Sequence, residues 1–276
     1  MDVTAWRDST IFMPLLPYCR TLVIPDVHLR WRLVDALLKE VEHDDVVYLG
    51  DFFDQFRDSA KQNRQQAIWL KAELKKPART FLWGNHDLHY ATPNHHTTCS
   101  GYESGKDIAI NEIMQPEDWA KFQWYCWRDS WLLTHAGLHP SFVPAEVKDL
   151  IIRDPKLKHM ALDNWLSEEC GYADAALRKN ESHRFFRAGR ARYGNQQYGG
   201  LTWLDFNREF AVVPGINQLV GHTNQIATWS PGTIETDDSA NHCIDCDSKY
   251  YAVCTNGKLS LKEIPEQLMG LRNRLD

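Results

Sequence analysis

Five short islands of this chain carry residue types that bind metals and move protons. They are Pro25-Asp26-Val27-His28, Gly50-Asp51-Phe52-Phe53-Asp54, Gly84-Asn85-His86-Asp87, Thr134-His135-Ala136-Gly137 and Gly221-His222-Thr223. Carboxylates, an amide oxygen and imidazoles together form a hard-to-borderline donor set for divalent ions. Two such ions ~3.5–4 Å apart can clamp a phosphate and generate hydroxide near neutral pH. Asp26 and His28 stand two apart, so at the end of a strand they share a face and can meet one ion. Gly50 and Gly84 directly precede donors, where a side chain would crowd the floor of such a site. One island alone is a common accident. All of them in succession, each at the end of an apolar run, read as one two-metal centre.

The elements that must position these donors surround them. Four islands follow buried-strand patterns, at 21–24, 45–49, 80–83 and 131–133, and the last follows the shorter run 218–220. Polar donors at the carboxyl ends of buried strands are where open α/β sheets place their sites. Trp31, Val34, Leu37, Leu38 and Val41 recur at helical spacing, which predicts a helix over 30–42. A second helix is predicted over 60–74, ending near Pro77. This strand–helix alternation implies an α/β protein with parallel pairing in its first half. Residues 94–116 are polar and irregular, and read as a loop near the mouth of the site, with short helices within it as the alternative. Trp119, Phe122, Trp124, Tyr125 and Trp127 read as core packing, with a base-stacking platform as the alternative. A helical insertion or cap is expected over about 144–200. Tyr250 to Leu261, with Asn256-Gly257 at its turn, reads as a hairpin and suggests a second, more antiparallel sheet. Without repeats, low-complexity tracts or linkers, residues 1–276 are expected to form a single domain.

Composition sets the outer bounds. The 276 residues, 43% hydrophobic and 25% charged, are ordinary for a globular protein with a substantial core. A net charge of -6 argues against a general nucleic-acid binder. It leaves room for a nucleotide substrate, because bound metals supply positive charge locally. No run of ~18 apolar residues is present, so no membrane span is expected. Met1 to Asp8 lacks the basic head and apolar core of a secretory signal, and the expectation is a cytoplasmic protein with seven reduced cysteines. Cys243-Ile244-Asp245-Cys246 is a lone pair next to His242, without the second pair that a structural zinc site wants.

The order and content of the islands, from Asp26 to His222, resemble the calcineurin-like metallophosphoesterases. The pattern of that family runs D-x-H, G-D-x-x-D, G-N-H-(E/D), H and G-H. The resemblance implies an α/β fold, a β-sandwich of two mixed sheets flanked by helices, with the site at the sheet ends and a helical insertion after the fourth motif. It implies that Asp26 and His28 hold one metal, that Asp51 bridges both, and that Asn85, His135 and His222 complete the shell of the second metal. It further implies that His86 protonates the leaving group, paired with Asp54, which would fix its tautomer and raise its pKa. The plain alternative for Asp54 is a helix-start cap. Asp87 reads either as support for the site or as a cap. The cofactor expectation is two divalent ions, Mn2+ first, with Fe, Zn and Mg fitting the same donors.

Thr134 to Pro140, Leu201-Thr202-Trp203-Leu204-Asp205, Gly221-His222-Thr223 and Ile244-Asp245 are similar to the branch holding serine/threonine protein phosphatases and symmetrical diadenosine tetraphosphate hydrolases. The chain departs from that branch twice. Leu29 follows His28 where the branch has glycine, and Gln55-Phe56 follow Asp54 where it has arginine and glycine. That arginine normally holds a phosphate oxygen. Arg57 is the nearest replacement in sequence, with Arg187, Arg190, Arg192 and Arg208 as alternatives. The expected activity is metal-dependent hydrolysis of phosphate esters or anhydrides by in-line attack of a metal-bridged hydroxide. The expected substrate is a small phosphorylated or nucleotide molecule, such as a dinucleoside polyphosphate. Alternatives are a serine/threonine phosphoprotein phosphatase, a phosphodiesterase or nuclease, and a non-catalytic scaffold. The scaffold is disfavoured because every ligand position is filled.

Overall fold

The computed structural model describes residues 19–55, 57–154, 156–227 and 229–272. Met1 to Asp8, examined above for a leader, and Phe56 lie outside them. The first half runs β1 (Arg20–Ile24), α1 (Trp31–Glu40), β2 (Asp45–Tyr48), α2 (Ala60–Glu73), β3 (Arg79–Leu82) and α3 (Asn85–Ala91). Then come α4 (Ser104–Asn111), α5 (Pro116–Trp119), β4 (Phe122–Gln123), β5 (Tyr125–Arg128) and β6 (Trp131–Thr134). Two helices follow, α6 (Ala145–Arg153) and α7 (Lys158–Arg178). The chain closes with β7 (Asn217–Val220), β8 (Gly232–Glu235), β9 (Ala240–Cys243), β10 (Tyr250–Thr255) and β11 (Lys258–Glu263).

These strands build two mixed sheets, ordered β11-β10-β1-β2-β3-β4 and β5-β6-β7-β9-β8. Strands β1, β2 and β3 are parallel neighbours, as are β6 and β7. Their carboxyl ends therefore emerge together at one edge of each sheet. Side chains alternate across each strand. Val23, Val47, Leu49 and Leu82 of the first sheet pack against Leu133 and Leu219 of the second, forming the layer between the sheets. Leu22, Ile24, Val46 and Tyr48 face the opposite way and pack with Leu33 and Leu37 of α1 and Leu70 of α2. Leu132 joins Val147, Ile151, Leu162 and Leu166 of α6 and α7 on the outer side of the second sheet. A Ser59–Gln62 capping box starts α2. That leaves Asp54 free of the capping role considered for it.

One sequence expectation needs correction, and the reading of the aromatic stretch as core packing is borne out. The hairpin β10–β11 forms with Asn256 and Gly257 both at positive φ, yet it does not belong to a second sheet. It pairs antiparallel with β1 and extends the first sheet, because the free edge of β1 would otherwise leave its backbone groups unpaired. The aromatic stretch is not a surface platform. Trp119, Phe122 and Trp124 are buried, and Phe122 stacks on Trp83 with centroids 4.6 Å apart. The chain passes here from the first sheet at β4 to the second at β5, and the rings fill that crossing.

Candidate active site

Each island leaves its strand in a tight turn, and the five turns converge. His28, Asp51, Asp54 and His222 all adopt positive φ, between 39° and 63°. Non-glycine residues hold that conformation only where the surroundings enforce it, and such positions cluster at functional sites. The enforcement is visible. Asp87 accepts the backbone N–H groups of Asp51 and Phe52, each at 2.8 Å, and that of Gly84 at 3.0 Å. Asp26 takes the His222 N–H at 2.9 Å, tying the first island to the last. The buried Cys243 thiol donates to the carbonyls of Gly221 and Thr223. It is thus a turn fastener, and the Cys243–Cys246 pair forms no metal cluster among the described residues. Gly84 packs so tightly that a Cβ there would lie 2.1 Å from Asp51 Oδ1, and one on Gly221 would lie 2.1 Å from Asp26 Oδ1.

The donors then fall into two groups that share Asp51: Asp26, His28 and Asp51, and Asp51, His135 and His222. In the second, His135 Nε2 lies 3.4 Å from Asp51 Oδ2, 3.1 Å from Asn85 Oδ1 and 3.2 Å from His222 Nδ1. Donors about 2.1 Å from one ion stand roughly 3.0–3.4 Å from each other, so this spacing fits a divalent cation. In the first group His28 Nε2 lies 3.9 Å from Asp26 Oδ2 and 3.7 Å from Asp51 Oδ2. Both histidines are oriented from behind. His28 Nδ1 donates to the Asp54 carbonyl at 2.7 Å, and His135 Nδ1 to the Leu49 carbonyl at 2.8 Å. Their Nε2 atoms are left facing the carboxylates, which is how metal-binding imidazoles are usually held.

The electrostatics describe a site crowded with like groups. Burial, with Asp51 nearby, pushes Asp26 up to about 6 even against the pull of His135. Burial would also raise Asp51, but His135, His86 and His28 carry it well below the usual carboxylate range. His222 is driven well down by burial, His135 and Arg192. A divalent cation held here would offset the stress between the buried carboxylates of Asp26 and Asp51.

His86 sits across from His28, ring centroids 5.4 Å apart. Its Nδ1 lies 3.0 Å from Asp54 Oδ2, and its backbone N–H donates to Asp51 Oδ1 at 2.9 Å. The predicted arginines lie apart from these donors. Arg57, Arg190 and Arg208 are exposed; Arg187 bonds to Ser182 and Asn195, and Arg208 reaches the Ala191 carbonyl. Arg192 is the alternative that borders the site: it pairs with Asp205 at 2.9 Å and reaches Thr223 Oγ1 at 3.4 Å, beside His222.

Sequence reasoning missed three partners of Asp54 and one neighbour of His86. His89 Nε2 lies 3.2 Å from Asp54, Tyr90 donates to it at 2.6 Å and Lys106 at 3.3 Å. Cys99 Sγ lies 3.6 Å from His86 Nδ1. A helix read over 85–91 would have signalled His89 and Tyr90, which follow His86 at helical spacing. Buried Asp245, which the sequence offered only as part of the Ile244-Asp245 resemblance and without a role, is raised to about 8 by burial and by Asp26.

The sequence profile of the calcineurin-like phosphoesterases matches residues 19–226. No curated protein sequence matches the chain. Among solved structures, the chain is similar to a cold-active protein tyrosine phosphatase of the psychrophile Shewanella sp., at 15% identity and a TM-score of 0.53, over 90% of this chain and 80% of that one. A mutant form of a cold-active protein tyrosine phosphatase gives a TM-score of 0.55 at 14% identity, again over 90% of this chain and 80% of that one. A metallophosphoesterase from Sphaerobacter thermophilus is matched at 13% identity with a TM-score of 0.46, over 93% of this chain and 98% of that one. The family match begins ahead of the first island and ends beyond the fifth, enclosing every donor described above. The chain belongs to the calcineurin-like phosphoesterases and is a metal-dependent phosphoesterase.

Proposed function

We propose that this enzyme hydrolyses a small phosphorylated or nucleotide substrate at a two-metal centre, a dinucleoside polyphosphate being the favoured type. Asp26, His28 and Asp51 hold one ion; Asp51, Asn85, His135 and His222 hold the other. The observation that carries this reading is the sharing of Asp51 by both donor groups. Bound there, Mn2+ or another divalent ion supplies Lewis acidity and an activated water. His86, steadied by Asp54, hands a proton to the departing oxygen. Arg192 is the best-placed cation for a phosphate oxygen, ahead of the exposed Arg57, Arg190 and Arg208 and of Arg187, which is engaged with Ser182 and Asn195. The seven free cysteines suit a cytoplasmic location. A single domain over 1–276, with 144–200 as its helical insertion, completes the proposal. The phosphoprotein reading remains the second one, favoured by the fold-level likeness to protein tyrosine phosphatases.

The test is an activity panel on chelated, then Mn2+-reconstituted protein. It compares p-nitrophenyl phosphate, bis-p-nitrophenyl phosphate, diadenosine tetraphosphate, and phosphoserine and phosphotyrosine peptides. Preference for the dinucleotide supports the proposal. Preference for a peptide moves the protein to the second reading. No metal-dependent turnover on any of them sinks the catalytic assignment.

A further inference from the structure

The Asp54 carboxylate receives donors on both oxygens. Oδ2 faces His86 Nδ1 at 3.0 Å and His89 Nε2 at 3.2 Å, while Oδ1 takes Tyr90 Oη at 2.6 Å and Lys106 Nζ at 3.3 Å. A carboxylate held through one oxygen can still turn about its last bond. One held through both cannot, and the ring it orients is fixed with it. Lys106 is unusual as a donor here, because its side chain is only 2% exposed. Lysine is almost never fully buried unless paired. Its ammonium has three N–H groups, and three oxygens receive them: Asp58 Oδ1 at 2.7 Å, the Gly101 carbonyl at 2.9 Å and Asp54 Oδ1 at 3.3 Å. Glu103 lies farther off, at 3.7 Å. The loop that leads into α4, the helix carrying this lysine, is seated on Asp54. Gly101 has φ +97°, and a Cβ there would approach the Asp54 carboxyl to 3.0 Å.

We propose that Lys106 and Tyr90 are positioning residues for the reaction. They lock the plane of Asp54, and Asp54 holds His86 with its Nε2 edge toward the substrate. This deepens the reading of His86 as proton donor to the leaving group, and rests on it. The segment from Cys99 to Lys106 thereby becomes a working wall of the site.

The test compares kcat on p-nitrophenyl phosphate, whose leaving group hardly needs a proton, with kcat on glycerol phosphate, whose alkoxide does. The proteins are the Mn2+-loaded wild type, His86→Ala, Lys106→Met, Tyr90→Phe and the double variant His86→Ala/Lys106→Met. Positioning predicts that Lys106→Met slows glycerol phosphate about tenfold or more, within the ~10²–10⁴-fold scale of general-acid catalysis. On p-nitrophenyl phosphate the loss stays under about threefold, and KM is unchanged on both. Tyr90→Phe, which keeps its volume if Lys106→Met does not fold, shows the same selectivity at smaller size. In the His86→Ala background Lys106→Met costs less than about twofold more, because coupled residues are not additive. Uniform loss on both substrates in Lys106→Met and Tyr90→Phe, or an additive double variant, overturns the inference while the His86 reading stands. Uniform loss in His86→Ala overturns both.

Discussion

Asp51 meets two demands with one carboxylate. Its Oδ1 accepts the His86 N–H, and its Oδ2 stands between His28 Nε2 and His135 Nε2. Asp51→Asn keeps the shape and lets the amide oxygen still face His86. The amide nitrogen then points where a cation would sit, and an N–H cannot bind one. Metal content should fall from two ions to one or fewer. Turnover should drop by at least about a thousandfold, beyond the ~10²–10³ typical of losing one transition-state donor. Melting of the chelated protein should fall, since His135 loses the buried carboxylate it pairs with. Elemental analysis, a rate assay and a melt check these together, and near-wild-type activity would mean the shared-ligand assignment is wrong. The donors themselves were legible because each is a chemically apt residue at the end of an apolar run. Lys106 and Tyr90 were not, since their importance arises from where α3 and α4 pack onto Asp54. No spacing rule links Lys106, which lies on none of the islands, to Asp54.

The elements show the same division. Strands β1, β2, β3, β6 and β7 and helices α1 and α2 stand where apolar periodicity puts them, because burial on one or both faces writes itself into the sequence. The short strands β4 and β5 were hidden by their aromatics, which serve core and edge at once. Here α7 docks through polar ends of rings. Asp163 Oδ1 accepts Tyr125 Oη at 2.8 Å and Trp127 Nε1 at 2.9 Å, and Asp174 accepts Trp124 Nε1 at 2.8 Å. Each bond contributes about 1 kcal/mol net. Asp163→Ala should therefore lower stability by about 1–2 kcal/mol and Tm by roughly 3–6 °C, on a scale of about 2–4 °C per kcal/mol. It should leave kcat/KM unchanged, because the islands lie at the ends of other strands. Activity lost without a change in melting would instead make the α7 face part of the site.

At the scale of the whole molecule, the gathered donors make stability depend on pH and metal together. Burial and Asp51 push Asp87 up to about 7, and burial and Asp26 push Asp245 up to about 8. A carboxyl raised above its unfolded 3.8 costs nothing while protonated in both states, and its cost grows until pH passes the folded value. Burial would lower His135, but Asp51 and Asp26 carry it to about 9. Its contribution is present below the ordinary histidine value of 6.5 and is lost as pH rises toward 9. His28 and His222, lowered first by burial, act oppositely, but their effect is complete by pH 6.5. Asp51, held low by its histidines, loses its contribution only in acid, below 3.8. Above pH 6.5 the remaining signs agree, and the metal-free protein should weaken as pH rises. Divalent ions compete with these same protons, so they bind more tightly at higher pH and stabilise the folded state by mass action. The Tm of chelated protein should fall by roughly 5 °C between about pH 6.5 and about pH 8.5. Saturating Mn2+ should flatten or reverse that slope, so the metal-induced gain is largest at the alkaline end. A chelated protein whose melting is level across that range, with a metal gain independent of pH, would show that the buried carboxyls are not under charge stress. The converged islands would then lack the electrostatic reason to hold a cation.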